Sequence, residues 1–336
     1  MKSSLRPTTA ADLGAVREFL RGVFNCGDDA PFLEPRLMAW KYWDRRDDEP
    51  GPRSYVMERD DRIIAHTGVY PLRFGEVRGV QLIDWASSKE HPGAGLAILQ
   101  KMDSMFDFIY SIGGSEMTRS ILPAFGFVEW GNQWRAAVPV RPFRQMATHQ
   151  SRNRKLAPRL ARNFAWSRAG AEVGGDYAKW KSAKIRPDQL PGELCPIRSA
   201  GFFEYLLRCP GLSNAGLYGV RNEHGVQGHF ALGETQRQVR VAGVWIRDAS
   251  DDGLQTMYAL ARKAAAKIPG ACEVALAGTG DRSPQAAMKA GFRMLGSVPI
   301  YLRNRKGKLR LPADFQFQLS DDDSFFLSSG APDYWT

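Results

Sequence analysis

The alternation of apolar and polar positions predicts helices and strands in a mixed order through the first part of the chain. A helical period begins near residue 13, and two β-rich runs around the polar segment 59–62 predict a hairpin. A further β-rich run, 79–87, leads directly into a helical period from residue 92, and residues 106–114 predict a buried strand. Helices and strands are therefore expected to alternate.

The same order of patterns returns in the second part of the chain. A helical stretch precedes two β-rich runs around a turn at 222–225, and a strand pattern precedes a helical period over 253–268. Each half closes on a glycine followed by a phenylalanine, Gly126-Phe127 and Gly291-Phe292. The repeated order predicts a tandem duplication. The expected domains are a first domain over 1–138, a basic linker over 139–190, a degenerate second domain over 191–310 and a C-terminal tail over 311–336.

The formal net charge of the chain is +10, and much of the excess lies between residues 141 and 168. This basic segment has no acidic side chain and eight basic ones: Arg141, Arg144, Arg152, Arg154, Lys155, Arg159, Arg162 and Arg168. Such a surplus favours a polyanionic partner, whether nucleic acid, anionic lipid or a phosphate-rich cofactor. No apolar run reaches the roughly 18 residues of a membrane span. The start lacks a secretion signal and the cysteines are scattered, so we expect a cytoplasmic protein.

The segment 81–100 carries the most informative chemical pattern. A predicted strand ends in the small-residue turn Pro92-Gly93-Ala94-Gly95, which opens a predicted helix. The first amides of a helix lack partners and lie at the positive end of its dipole, so small residues there let a phosphate approach. The turn is not a P-loop, because no Gly-Lys-Ser/Thr follows, and a dinucleotide fingerprint would need a third glycine. The pattern predicts an anion site.

This turn, the strand before it, the strand after the helix and Gly126-Phe127 resemble the GNAT superfamily of acyl-CoA-dependent N-acyltransferases. The resemblance covers residues 3–131 and extends over about 195–305 as a degenerate second copy. With the Trp40-Lys41-Tyr42 stretch, it is similar to a tandem GNAT branch associated with polysaccharide biosynthesis. It implies an α/β fold of two tandem domains, each with a central mixed, largely antiparallel sheet flanked by helices.

The resemblance also implies an acyl-CoA co-substrate, acetyl-CoA or another, and no metal. The pantetheine arm would pair with the backbone at Trp85, Ala86 and Ser87, and the pyrophosphate would lie against the turn. The residues expected to hold the pyrophosphate are Pro92, Gly93, Ala94, Gly95, Leu96 and Ala97, with Pro92 in place of the family's usual Arg or Gln. Asp251 and Asp252 stand at the matching turn of the second copy and would repel a pyrophosphate, so we expect CoA to bind only the first half.

GNAT chemistry needs a group that removes a proton from the attacking amine. Asp84, just before the pantetheine-pairing segment, is the first candidate for this base; His66 is the second and Glu58 the third. The family's frequent general-acid tyrosine falls at Leu122, so no acid is assigned, although Tyr110 is a substitute candidate. The expected acceptor is an amine on a small molecule or a sugar-linked precursor, such as an amino sugar or a polysaccharide precursor.

Two other functions fit the same residues. Proteins that transfer amino acids from charged tRNA to cell-wall peptides also use tandem GNAT-like halves, and here the basic segment would contact RNA. A non-catalytic GNAT-like binding protein would tolerate Pro92 and Leu122. Asp321–Asp323 are expected to cap a turn rather than bind a metal. The aromatic residues expected in the core or around an acceptor pocket are Trp40, Tyr42 and Trp43.

Overall fold

The computed structural model describes residues 3–148, 156–170, 177–192, 198–247, 249–311, 315–327 and 334–336. The chain divides into two compact units. The N-unit comprises Met1–Gly131, Pro299–Leu311 and Asp321–Asp323, and the C-unit comprises Asn132–Val298, Pro312–Ser320 and Ser324–Thr336. In the described part of the chain, no helix has both the length and the apolar character needed to cross a membrane.

The helices and strands are numbered in chain order. The first are β1 (Ser4–Pro7), α1 (Leu13–Phe24), α2 (Pro35–Tyr42), β2 (Ser54–Arg59), β3 (Arg62–Phe74), β4 (Val77–Ser87), α3 (Pro92–Met105), β5 (Phe108–Ile112), α4 (Glu116–Ile121) and β6 (Val128–Pro139). They are followed by α5 (Pro142–Thr148), α6 (Leu156–Ser167), β7 (Lys181–Ile185), α7 (Ala200–Leu207), β8 (Ser213–Asn222), β9 (Gly225–Thr235), β10 (Gln238–Ile246), α8 (Asp251–Ala266), β11 (Glu273–Gly278), α9 (Arg282–Lys289) and β12 (Arg293–Arg303).

The N-unit is built on a mixed sheet in the order β1-β2-β3-β4-β5, and the end of β12 pairs with β5. These neighbours are antiparallel except for β4 and β5, which run parallel with α3 between them in the chain. Asp60 and Asp61 have positive φ and form the turn between β2 and β3, which confirms the hairpin. The parallel pair makes this sheet mixed.

The sheet of the C-unit runs in the order β6-β11-β10-β9-β8-β7. Here β10 and β11 are parallel with α8 between them in the chain, and the other pairs are antiparallel. The series β9, β10, α8, β11 and α9 therefore repeats the series β3, β4, α3, β5 and α4. The predicted fold class, two tandem α/β domains with mixed, largely antiparallel sheets, is confirmed.

Each unit has its own apolar core between helix and sheet. In the N-unit, Ile98 and Met102 of α3 pack with Val80 of β4, and all three are fully buried. In the C-unit, Met257 of α8 packs with Phe230 of β9. Burying side chains of this size contributes about 1.5–3 kcal/mol each, so the helix after the parallel strand is fixed to its sheet in both units.

The segment 139–190 contains α5, α6 and β7 of the C-unit in place of the expected linker. Arg141 donates to the carbonyl of Ala266, the last residue of α8, and to two carbonyls in the loop that follows it. The Arg162 guanidinium lies 4.6 Å from the centre of the Trp166 ring, and that of Arg168 lies 3.9 Å from the Phe164 ring. Basic side chains of this segment therefore stack on aromatic rings of α6. Three basic residues, Arg152, Arg154 and Lys155, lie outside the described residues.

The expected domain boundaries at 138 and 310 also differ from the compact units. The first segment of the N-unit ends at Gly131, and a later segment, Pro299–Leu311, also belongs to this unit. The expected tail includes the buried side chains of Phe317 and Phe325 in the C-unit, and Asp321–Asp323 belong to the N-unit. Sequence similarity between the copies does not show that late segments of the chain belong to the N-unit, because this depends on pairing between residues far apart in the chain.

Candidate active site

The strands β4 and β5 of the N-unit pair only at their beginnings. The parallel pairing joins Gly79, Val80 and Gln81 to Phe108, Ile109 and Tyr110 and ends there. Beyond Gln81, β4 stays paired with β3, and beyond Tyr110, β5 stays paired with β12. Between them lies a cleft of about 290 Å³, whose lining includes Trp85, Leu122 and Asp323. The parted strands offer backbone groups to a ligand in this cleft.

A bulge at Asp84 bends β4 three residues beyond Gln81, the last residue of β4 that pairs with β5. The pairing with β3 shifts register between His66 and Gly68, and Asp84 has a φ of +48°. Aspartate tolerates this left-handed conformation better than most residues, and a bulge redirects the strand. His66 Nδ1 lies 3.0 Å from the carbonyl oxygen of Asp84, and Nε2 lies 3.0 Å from Ser54 Oγ. His66 therefore holds the backbone of the bulge.

The Asp84 side chain lies in a buried ion pair. Lys41 Nζ is 2.6 Å from Asp84 Oδ2, and the Tyr42 hydroxyl donates to the same oxygen. The side chains of Lys41 and Asp84 are only 1% and 8% exposed. Burial alone would raise the pKa of Asp84, but the charge of Lys41 and the two hydrogen bonds outweigh it, so its pKa lies below 3.8. Asp84 is therefore a carboxylate at neutral pH.

His66 is fully buried, and its ring makes an edge contact with that of Tyr42, with the ring centres 5.3 Å apart. Burial lowers the pKa of His66 from 6.5 to about 4, so the ring is neutral at pH 7. A carbonyl oxygen only accepts hydrogen bonds, so the Nδ1–H of the neutral ring donates to Asp84 and Nε2 accepts from Ser54. Both nitrogens are engaged, which leaves His66 no free position for proton transfer.

Helix α3 starts beside β4, and its two glycines differ in their surroundings. A Cβ added to Gly93, which is exposed, would meet nothing within 4 Å. A Cβ added to buried Gly95 would lie 3.3 Å from Ser87 Oγ and 3.5 Å from Trp85 Nε1. Trp85 Nε1 also donates to the Gly95 carbonyl at 3.0 Å. Gly93 thus leaves the helix start open, whereas Gly95 lets the helix pack closely on β4.

Comparison with solved structures agrees with this arrangement. The chain is similar to a GCN5-related N-acetyltransferase from Anabaena variabilis, with a TM-score of 0.57 and 11% identity over 90% of this chain and 73% of that one. It is also similar to a tandem GNAT protein from the clavulanic acid biosynthesis pathway, with a TM-score of 0.54 and 13% identity over 90% and 98% of the two chains. This chain has the tandem GNAT fold.

A third similar structure is the Saccharomyces cerevisiae N-myristoyltransferase with bound myristoyl-CoA and inhibitors, with a TM-score of 0.55 and 12% identity over 90% and 80% of the two chains. No protein-family model and no curated protein matches the sequence. The likeness to the solved structures, at identities this low, establishes the GNAT fold of the chain.

Within this GNAT fold, the residues expected to bind CoA lie together in the N-unit. Ala86 and Ser87 follow Trp85 on β4, and the residues 92–97 form the first turns of α3. The hydrogen bond from Trp85 to Gly95 joins the two groups. Trp85 also lines the cleft. The arrangement could accommodate an elongated ligand with an anionic end.

The residues expected to catalyse do not all reach the cleft. Asp84 lines it, but Glu58 forms an ion pair with Arg6 at 2.6 Å and does not belong to its described lining. Tyr110 also lines the cleft, and its hydroxyl donates to the Asp321 carbonyl at 2.9 Å. Sequence reasoning missed Lys41 as a partner of Asp84 and missed Asp323 as a cleft residue. The only local signal for Lys41 was its position between Trp40 and Tyr42 in α2.

In the C-unit, a side chain of the protein itself binds the backbone groups of the corresponding strand. Parallel pairing of β10 and β11 ends at Val241, next to a register shift in β10. Just beyond, the Gln318 side chain accepts a hydrogen bond from the Val244 N–H and donates to the Val244 carbonyl at 2.7 Å. Ser250 Oγ caps the start of α8 by accepting from the Gly253 N–H at 3.2 Å. These contacts use the backbone groups that a pantetheine arm would need.

Proposed function

We propose that this protein transfers an acyl group from acyl-CoA to an amine and that the N-unit alone binds CoA. The observation that carries the proposal is the parting of β4 and β5 directly beside the open start of α3. Backbone groups of β4 beyond Gln81 would hold the pantetheine arm. The start of α3 would hold the pyrophosphate, with the Gly93 N–H as its first amide because Pro92 has none. In the C-unit, Gln318 occupies the equivalent strand groups.

In the proposed mechanism, the chain contributes mainly position and electrostatics. Acyl-CoA supplies the activated thioester, and the parted strand would hold its carbonyl where an amine entering the cleft can attack. A backbone N–H directed at that carbonyl would stabilise the negative charge that develops on oxygen. We propose an amino sugar or a sugar-linked precursor as the acceptor and acetyl as the acyl group.

Asp84 supports this site by its position rather than as the base. Its carboxylate already accepts hydrogen bonds from Lys41 and Tyr42, and its lowered pKa makes it a weak proton acceptor at neutral pH. The same contacts hold the bulge that opens the cleft. His66 acts in the same way through the Asp84 carbonyl.

Leu122 favours a second candidate function, a GNAT-like protein that binds acyl-CoA without turning it over. Leu122 lines the cleft, is 2% exposed and cannot donate a proton to a leaving thiolate. Release of free thiol from acetyl-CoA in the presence of glucosamine distinguishes the two: the transferase produces thiol in step with N-acetylglucosamine, and a binding protein does not.

The CoA site is tested by a pair of substitutions at Gly93, because a side chain there meets no neighbour within 4 Å. We expect Gly93→Glu to weaken acetyl-CoA binding by about 10- to 30-fold, since its carboxylate repels the phosphates at the helix start. Gly93→Ala should bind within about twofold of the wild type. Isothermal titration calorimetry measures both. Equal affinity of the Glu variant and the wild type, or no binding by the wild type, would contradict the site.

A further inference from the structure

A segment from near the C-terminus places a second carboxyl group in the cleft of the N-unit. The Tyr110 hydroxyl donates to the Asp321 carbonyl at 2.9 Å, and Gln81 Nε2 donates to Asp322 Oδ1 at 3.1 Å. Asp321 and Asp322 are only 2% and 3% exposed. Asp323 is less buried and lines the cleft together with Asp84. The two neighbours therefore anchor Asp323 where β4 and β5 part.

The charged groups around Asp323 keep a proton on it more readily than on Asp84. Burial, the charge of Asp322 and a hydrogen bond with that residue raise the pKa of Asp323 well above 3.8, and the charge of Asp84 adds to this. Lys41 opposes the rise, but it is paired with Asp84. The titratable groups facing Asp323 are Asp322 on its own segment, Asp84 on β4, Lys41 and Tyr42 on α2, and Tyr110 on β5. Two carboxyls whose pKa values are pushed apart in one cleft suit different roles.

We propose that Asp323 is a catalytic residue that carries the proton of the transfer, accepting it from the attacking amine and returning it to the departing thiolate. This inference rests on the proposed acyltransferase function. The amine nitrogen forms a bond to the thioester carbon while its proton passes to the Asp323 carboxylate. The C–S bond then breaks, and the same proton passes from the Asp323 carboxyl to the CoA sulfur.

The step balances without a further reactant, because amine and thioester become amide and thiol. One group performs both proton transfers. The thiolate therefore has a proton donor even though Leu122 stands where the family frequently has a tyrosine. A carboxyl whose pKa is raised above that of an ordinary aspartate is better matched to such a relay. Asp323 therefore takes the role that the sequence suggested for Asp84.

Asp323→Asn tests the proposal, since the amide keeps the shape of the side chain but does not titrate. With acetyl-CoA and glucosamine as probes, we expect kcat to fall about 100-fold and the Kd of acetyl-CoA to stay within about twofold of the wild type. In the wild type, kcat/KM should rise with pH as Asp323 loses its proton, and this rise should be absent in the variant. Asp323→Glu should restore part of kcat.

Asp322→Asn is a second test, made at a residue that anchors Asp323. It removes a neighbouring charge, while its amide oxygen can still accept from Gln81. The rise of kcat/KM should therefore move to lower pH, because less charge repels the ionised form of Asp323. A group that only supports the fold would not move this profile. Unchanged kcat and pH profile in Asp323→Asn would overturn the relay while the acyltransferase function stands. No thiol release by the wild type would overturn both.

A stability measurement adds a readout that does not depend on turnover. A raised pKa in the folded state means that stability is fully present below 3.8 and is lost as the pH rises through the folded-state pKa. Asp323→Asn lacks this loss, so its Tm relative to the wild type should increase as the pH rises above about 4. A difference in Tm that does not change with pH would overturn the assigned protonation of Asp323.

Discussion

Replacing Lys41 with methionine is expected to lower the free energy of unfolding by about 3–5 kcal/mol, because it leaves the Asp84 carboxylate buried without its counter-charge. The two side chains are 1% and 8% exposed, so water cannot replace the lost partner. Methionine has a similar volume, which keeps the loss of packing small. Urea denaturation at pH 7, followed by circular dichroism, measures the change.

Two further variants separate the charge from other effects of Lys41→Met. In the double variant Lys41→Met/Asp84→Asn the buried charge is gone, and we expect it to recover most of the lost stability. Lys101→Met makes the same change at an exposed position on α3 and should lie within about 0.5 kcal/mol of the wild type. If Lys41→Met were as stable as Lys101→Met, the ion pair would not be what fixes α2 to the bulge.

The sequence could predict those parts of the fold that depend on residues close together in the chain. Three consecutive features show this: the strand 79–87, the turn at Pro92 and the helical period after it. Each is determined by the residues within it. The hairpin around Asp60 and Asp61 is local in the same way, because the polar turn and the flanking β-rich runs are contiguous. The GNAT resemblance also rested on this continuous segment.

The chemistry of the cleft could not be predicted in this way, because its partners are far apart in the chain. Lys41 lies 43 residues from Asp84, and Asp322 lies 241 residues from Gln81. No local pattern shows that Asp84 is already paired or that an aspartate from near the C-terminus reaches the same cleft. The basic segment 141–168 differs from its prediction for a related reason. Its local composition predicts a linker, but in the structure Arg141 donates to the Ile268 carbonyl and Trp166 contacts Arg162, all within the C-unit.

Wild-type protein is expected to lose about 3 kcal/mol of stability through His66 alone as the pH falls from above 6.5 to about 4. Burial lowers the folded-state pKa of His66 to about 4, whereas the unfolded chain protonates near 6.5. The unfolded state therefore binds more protons within this window, so this contribution is present above pH 6.5 and is lost as the pH falls through 4. Urea unfolding at a series of pH values measures the slope.

His66→Asn removes this titration and should flatten the slope between about pH 6.5 and pH 4.5, even though the variant is less stable at pH 7. Burial also lowers the pKa of His229 in the C-unit, to about 3, so the informative quantity is the difference between variant and wild type rather than the slope itself. His224→Asn, at a side chain 78% exposed, should keep the wild-type slope. If His66→Asn kept it too, His66 would not be the buried neutral ring that holds the Asp84 carbonyl, and the bulge that opens the cleft would need another support.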